Sequence, residues 1–119
     1  MKSIVNLGTA LHKLILATAL TFALSPAAAQ SVNEDAAIAV AKASGCFRCH
    51  NVDKAKKAPS YKRIAAKYKG KDGETVLMKH LSGAQKVKVE DGGDEEHEPP
   101  QTKDKAELLN LVRWILSRD

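Results

Sequence analysis

Gly45-Cys46-Phe47-Arg48-Cys49-His50 is the stretch on which the fold of this 119-residue chain turns. Two thiols three positions apart, on a turn that continues from a helix, reach the two vinyl groups along one edge of a porphyrin and form thioethers with them. The histidine that follows points its imidazole at the iron from the same side, so attachment and proximal ligation come from one pentapeptide. On this reading Cys46 and Cys49 hold one covalent haem c, and His50 ligates its iron. Other uses of the pair fit less well. A thioredoxin-like redox pair needs a βαβ setting, and no strand of that kind precedes Cys46. A zinc site needs four ligands, usually from a second close cysteine pair, and the chain holds only two cysteines. A disulfide between residues three apart closes almost no loop and would add little stability.

Residues 1–29 differ in kind from the rest. Lys2 and Lys13 give a positive start, Leu14 to Leu24 is an apolar run, and Ala27-Ala28-Ala29 offers small residues for cleavage before Gln30. The stretch reads as an export signal; an uncleaved anchor is the alternative, since the two overlap in length. Either way residues 30–119 are expected outside the cytoplasm, in the periplasm, as one monomeric domain without a membrane span. A core of side chains alone is marginal at this size, and a large apolar cofactor supplies what they lack.

The leader takes two lysines with it, leaving 17 basic against 14 acidic residues. Their distribution matters more than the sum. From Lys42 to Lys88 there are 13 Lys or Arg against Asp53, Asp72 and Glu74, whereas Glu90 to Glu98 holds six acids and no Lys or Arg. Such a dipolar layout suits steering toward an acidic protein surface, although charge runs are usually just solvated faces. Nucleic acid is not an expected partner, because no aromatic residues interleave with the basic ones.

Local signals place four short helices. Asn33 is a plausible N-cap, with Glu34 and Asp35 in the first turn and an alanine-rich run behind it that ends at Gly45. Ser60 to Tyr68 reads as a second helix closed by Gly70, and Glu74 to Leu81 as a third closed by Gly83. Lys86 to Glu98 departs from helical spacing: Lys-Val-Lys-Val-Glu alternates with period two and Asp91-Gly92-Gly93-Asp94 is turn chemistry, so a small hairpin is expected there. After Pro99-Pro100, Thr102 is the expected cap of a last helix. Its Leu108, Val112 and Ile115 share a stripe beside Leu111 and Trp114.

The sequence resembles the class I cytochromes c, of the short bacterial respiratory type. The likeness runs through Gly45-Cys46-x-x-Cys49-His50, Asp53, Pro59-Ser60-Tyr61-Lys62, Ala65-Ala66-Lys67-Tyr68-x-Gly70, Pro99-Pro100 and Trp114-Ile115-Leu116-Ser117. It implies an all-α fold of about four short helices around one covalent haem, with the hairpin as a small addition before the last helix. It also implies that the carbonyl of Pro59 accepts a hydrogen bond from the His50 nitrogen facing away from iron, which would fix the ring and its tautomer. The first and last helices should cross at small residues such as Ala41 or Gly45, against Trp114.

The sixth iron ligand departs from that family. Short members usually place methionine directly before the proline pair, where this chain has Glu98, with His97 one residue earlier. Imidazole is a common axial ligand and the position fits, so His97 is the expected partner of His50 across the iron. Met78, the one methionine outside the leader, lies on the expected third helix as a core filler, and His80 shares that helix; both stay open as alternatives. Thioether ligation raises the reduction potential, so imidazole in its place implies a lower one, and the neighbouring carboxylates push the same way.

A six-coordinate haem leaves no open position for substrate, and the expected function is one-electron transfer rather than catalysis. Arg48, Lys54, Lys56, Lys57 and Lys62 are candidates for docking to redox proteins with acidic surfaces. The resemblance implies that those partners are respiratory complexes or other cytochromes. Two other readings remain at this stage: a haem-based binder or sensor of a small gas, if the sixth position is easily vacated, and a dedicated electron-transfer subunit of a periplasmic dehydrogenase.

Overall fold

Helix α1, Glu34–Ala43, starts where Asn33 accepts a hydrogen bond from the backbone N–H of Ala36 through its side-chain oxygen, 3.0 Å away. In this computed structural model residues 30–119 are described; the expected leader falls outside the described residues. The carboxylates of Glu34 and Asp35 sit at the positive end of the helix, where they are favoured. Ala37 and Ala41, one turn apart, are fully buried, and their small side chains let the last helix lie close against α1. The same crossing is tied at its end, where Asn33 N–H donates to Asn110 Oδ1 at 2.9 Å and Asn110 Nδ2 returns a bond to Asn33 O at 2.8 Å.

Gly45 turns the chain out of α1 at φ +70, in the left-handed region that a side chain resists. It therefore belongs to the turn beyond the helix. A single 3-10 turn, Cys46–Arg48, follows directly. Helix α2, Tyr61–Tyr68, is capped by the Ser60 hydroxyl accepting from Arg63 N–H at 3.2 Å. Helix α3, Gly73–His80, begins one residue earlier than its sequence signal, because Asp72 supplies the cap by accepting from Thr75 N–H. A Cβ at Gly73 would stand 2.7 Å from Tyr68 Cβ and 2.9 Å from Leu116 Cδ2, so α2, α3 and the last helix meet there at a distance only glycine allows.

Strands β1, Gln85–Lys88, and β2, Asp94–His97, form the expected antiparallel hairpin, with Gln85 opposite His97, Lys86 opposite Glu96 and Lys88 opposite Asp94. Opposite charges thus face each other across the ladder, a favourable pairing. Alternation turns Gln85, Val87, Glu95 and His97 to the less exposed side. Helix α4, Lys105–Leu116, packs against α1, α2 and α3 in turn and buries Leu108, Leu111, Val112, Trp114 and Ile115. Its cap is Asp104, which accepts from Ala106 N–H at 2.7 Å. Thr102 is displaced from that role because it lies two residues too early; its hydroxyl accepts from Asp104 N–H and donates to Glu107. Four helices and one two-stranded sheet make the domain mostly helical.

Candidate functional site

The turn of Cys46–Arg48 presents both thiols and the histidine together. His50 N–H donates to Cys46 O at 2.9 Å and Cys49 N–H to the same carbonyl at 3.2 Å. Both cysteines are half-buried and neither is in a disulfide, so both sulfurs are available for thioether formation. Burial pushes the Cys46 thiol above its ordinary pKa.

The loop after the motif is folded back onto it. Ala58 N–H donates to Cys49 O at 3.0 Å, Tyr61 N–H to Asn51 O at 2.9 Å, Lys62 N–H to Val52 O at 3.1 Å, and Lys56 Nζ to Phe47 O at 2.8 Å. These bonds bring the Pro59 carbonyl to 2.7 Å from His50 Nδ1. A carbonyl only accepts, so the ring proton sits on Nδ1 and Nε2 is left with its lone pair. Tyr61, buried to 2 % exposure, stacks on the other aspect of the same ring at 5.1 Å and 15°. Trp114 meets Tyr61 edge-on at 5.3 Å, and Phe47 meets both edge-on, so the helix crossing continues as an aromatic chain to His50. Sequence reasoning did not single out Tyr61 for the site; its place directly after the helix cap was the available signal.

Across from His50 stands His97, brought in by the hairpin with ring centres 6.3 Å apart and planes at 68°. His80, at the end of α3, lies 4.8 Å from His97. Gln85 Nε2 donates to the His80 carbonyl at 2.6 Å, which identifies it as the amide nitrogen, and its other hydrogen goes to His80 Nδ1 at 2.7 Å. The His80 proton is therefore on Nε2. Gln85 is a second residue that sequence reasoning does not single out, since a glutamine opening a strand carries no motif. Burial lowers the pKa of all three histidines; His80 lowers His50 further, His80 and His50 together lower His97 further, and Lys67 does the same for His80. They are held neutral, the form in which imidazole binds a metal. Met78 is half-buried and packs against the core, and Glu98 is exposed.

These residues fit one haem. Among the described residues, His97 Nδ1 is the buried side-chain nitrogen or oxygen that finds no hydrogen-bond partner. Two imidazoles that bound one metal from opposite sides, each nitrogen about 2 Å away, would have ring centres about 6 Å apart; the His50 and His97 rings, at 6.3 Å, are compatible with that arrangement, and the His80 and His97 rings, at 4.8 Å, are too close for it.

A family model for cytochrome c matches residues 35–119. The chain belongs to the cytochrome c family. It is 36% identical over 81 residues to cytochrome c2 of Rhodocyclus tenuis, a match spanning 66% of this chain and 88% of that protein. Among solved structures, the class 1 cytochrome MtoD of Sideroxydans lithotrophicus ES-1 superposes with a TM-score of 0.69 at 45% identity, over 73% of this chain and 97% of its own. Cytochrome c552 of Nitrosomonas europaea gives 0.56 at 30% identity, over 69% and 99%. This class I cytochrome thus carries one covalent haem c on its single Cys-x-x-Cys-His motif, Cys46 to His50.

The charged candidates are largely engaged within the cytochrome itself. Lys57 pairs with Glu95 and Lys62 with Asp53 at 3.2 Å, Lys56 Nζ donates to Phe47 O and Arg48 Nε to Gly45 O; Arg63, which was not among those candidates, pairs with Glu90 at 3.0 Å. The basic and acidic blocks of the sequence therefore meet in the fold instead of standing at opposite ends.

Proposed function

We propose that this cytochrome is an exported, periplasmic one-electron carrier whose haem iron is held between His50 and His97. The observation that carries the reading is the 6.3 Å separation of those two rings, one following the Cys46–Arg48 turn and the other ending β2. His80 is the weaker candidate because Gln85 occupies its Nδ1 and its proton lies on Nε2. Met78 is weaker because it serves the core.

The haem supplies the redox-active iron. The protein's own residues do the rest: the Pro59 carbonyl orients His50 and makes it a stronger donor, the hairpin sets His97, and two imidazoles leave no position open for a substrate. Ligation by nitrogen in place of a thioether lowers the reduction potential. The exposed basic residues after the motif, Lys54 foremost since no ion pair engages it among the described residues, support docking to redox proteins with acidic surfaces. The test is a potentiometric titration of the mature haem-loaded protein beside His97→Met. The expected result is a reversible one-electron wave below the range of methionine-ligated relatives, shifted upward in the variant. A wild-type value already within that range contradicts the reading.

A further inference from the structure

Three contacts join the loop that orients His50, and the helix α2 that follows it, to the hairpin that carries His97. Lys57 Nζ pairs with the Glu95 carboxylate, Arg63 Nη1 with Glu90 Oε1 at 3.0 Å, and Glu90 N–H donates to Lys57 O at 3.0 Å. Their placement is symmetrical about the site. Lys57 stands two residues before Pro59, whose carbonyl holds His50, and Glu95 stands two residues before His97 on the same face of β2. Among the described residues, the hydrogen bonds and ion pairs that tie the hairpin elsewhere are few. Its own ladder joins β1 only to β2, and Gln85 ties its first strand to the end of α3.

We propose that Lys57, Glu95, Arg63 and Glu90 are positioning residues that form an ionic strap across the edge of the haem site, and that the strap sets how readily the His97 arm swings away from the iron. The proposal rests on His97 being the distal ligand. The side chains of the four residues are between 36% and 66% exposed, so each ion pair is modest and sensitive to salt. That suits a restraint that is weak enough to open yet shared between two pairs and a backbone hydrogen bond. A docking partner with an acidic surface would compete for Lys57 and Arg63 and so would loosen the arm as it bound.

The test is the rate of carbon monoxide entry into the reduced, haem-loaded protein, followed by stopped-flow absorbance. Lys57→Gln, Glu95→Gln and Arg63→Gln are each expected to speed entry roughly two- to fivefold, with unfolding midpoints close to wild type. Added salt is expected to speed the wild type and to leave the Lys57→Gln/Arg63→Gln double variant nearly unchanged. The charge exchange Lys57→Glu with Glu95→Lys is expected to restore the slow rate, which a loss of packing alone would not do. Single variants that match the wild type, or a charge exchange as fast as the singles, overturn the strap. His97→Ala separates the two ideas. If it remains low-spin and six-coordinate before the gas is added, the distal assignment fails and the strap with it. If it opens the iron while Lys57→Gln behaves as wild type, the strap alone fails.

Discussion

Replacing Tyr61 by alanine removes the side chain that joins the helical core to the haem site. Tyr61 is 2 % exposed, stacks on His50 at 5.1 Å, and takes the edge contacts of both Trp114 and Phe47. Truncating a buried aromatic residue costs about 3–5 kcal/mol, the lost transfer energy plus the cavity left behind. A domain of this size is stable by roughly 5–13 kcal/mol, so about a quarter of its stability or more is at stake. The assay is guanidinium unfolding of the mature haem-loaded protein, followed by haem absorbance, and the midpoint should fall by about 1 M at an unchanged slope. Tyr61→Phe keeps the rings and should lie within about 1 kcal/mol of wild type. The low-spin electron paramagnetic resonance spectrum should broaden or shift in Tyr61→Ala but not in Tyr61→Phe, because only the former frees the His50 ring. A loss below about 1 kcal/mol in Tyr61→Ala, a small fraction of the expected cost, would refute the view that this aromatic chain supports the site.

Asp104→Ala should cost about 1 kcal/mol as a lost helix cap and lower Tm by about 4–8 °C in calorimetry, whereas Thr102→Val should cost less; the reverse order would return the cap of α4 to Thr102. The Glu34 carboxyl is held below the ordinary glutamate pKa by the indole N–H of Trp114 and by Arg118. A depressed carboxyl contributes stability that is present above its unfolded pKa and lost as pH falls through the folded value. Glu34→Gln should therefore lie below wild type in thermal unfolding at neutral pH, and the two curves should converge in acid; a gap that persists there contradicts the assignment.

The helices were legible in the sequence because their signals are local. Asn33 caps where its hydrogen-bonding chemistry predicts, the second helix begins one residue after the expected Ser60, which is its cap, and the stripe of Leu108, Val112 and Ile115 is buried with Leu111 and Trp114. The last cap was misplaced because Thr102 and Asp104 are both good cap residues two positions apart, and only the geometry at Ala106 decides between them. At the site, the Cys46 to His50 pattern is specific because one pentapeptide holds the whole of its chemistry. The contributions of Tyr61 and Gln85 depend on which side chains meet, Tyr61 with His50 across 11 residues and Gln85 with His80 where β1 turns back on the end of α3, and no motif encodes that. The charge blocks are legible in the sequence, but their pairing in the fold is not. Their separation along the chain says nothing about the hairpin folding Glu90 and Glu95 back onto Arg63 and Lys57.

The central claim is that two imidazoles hold the iron, and the near-infrared magnetic circular dichroism of the oxidised mature protein tests it most directly. A low-spin spectrum without a sulfur-to-iron charge-transfer band, converting to high-spin in His97→Ala, is the result the account predicts. A sulfur-to-iron band would contradict it, because Met78 would then have to be the ligand and α3 could not pack as it does.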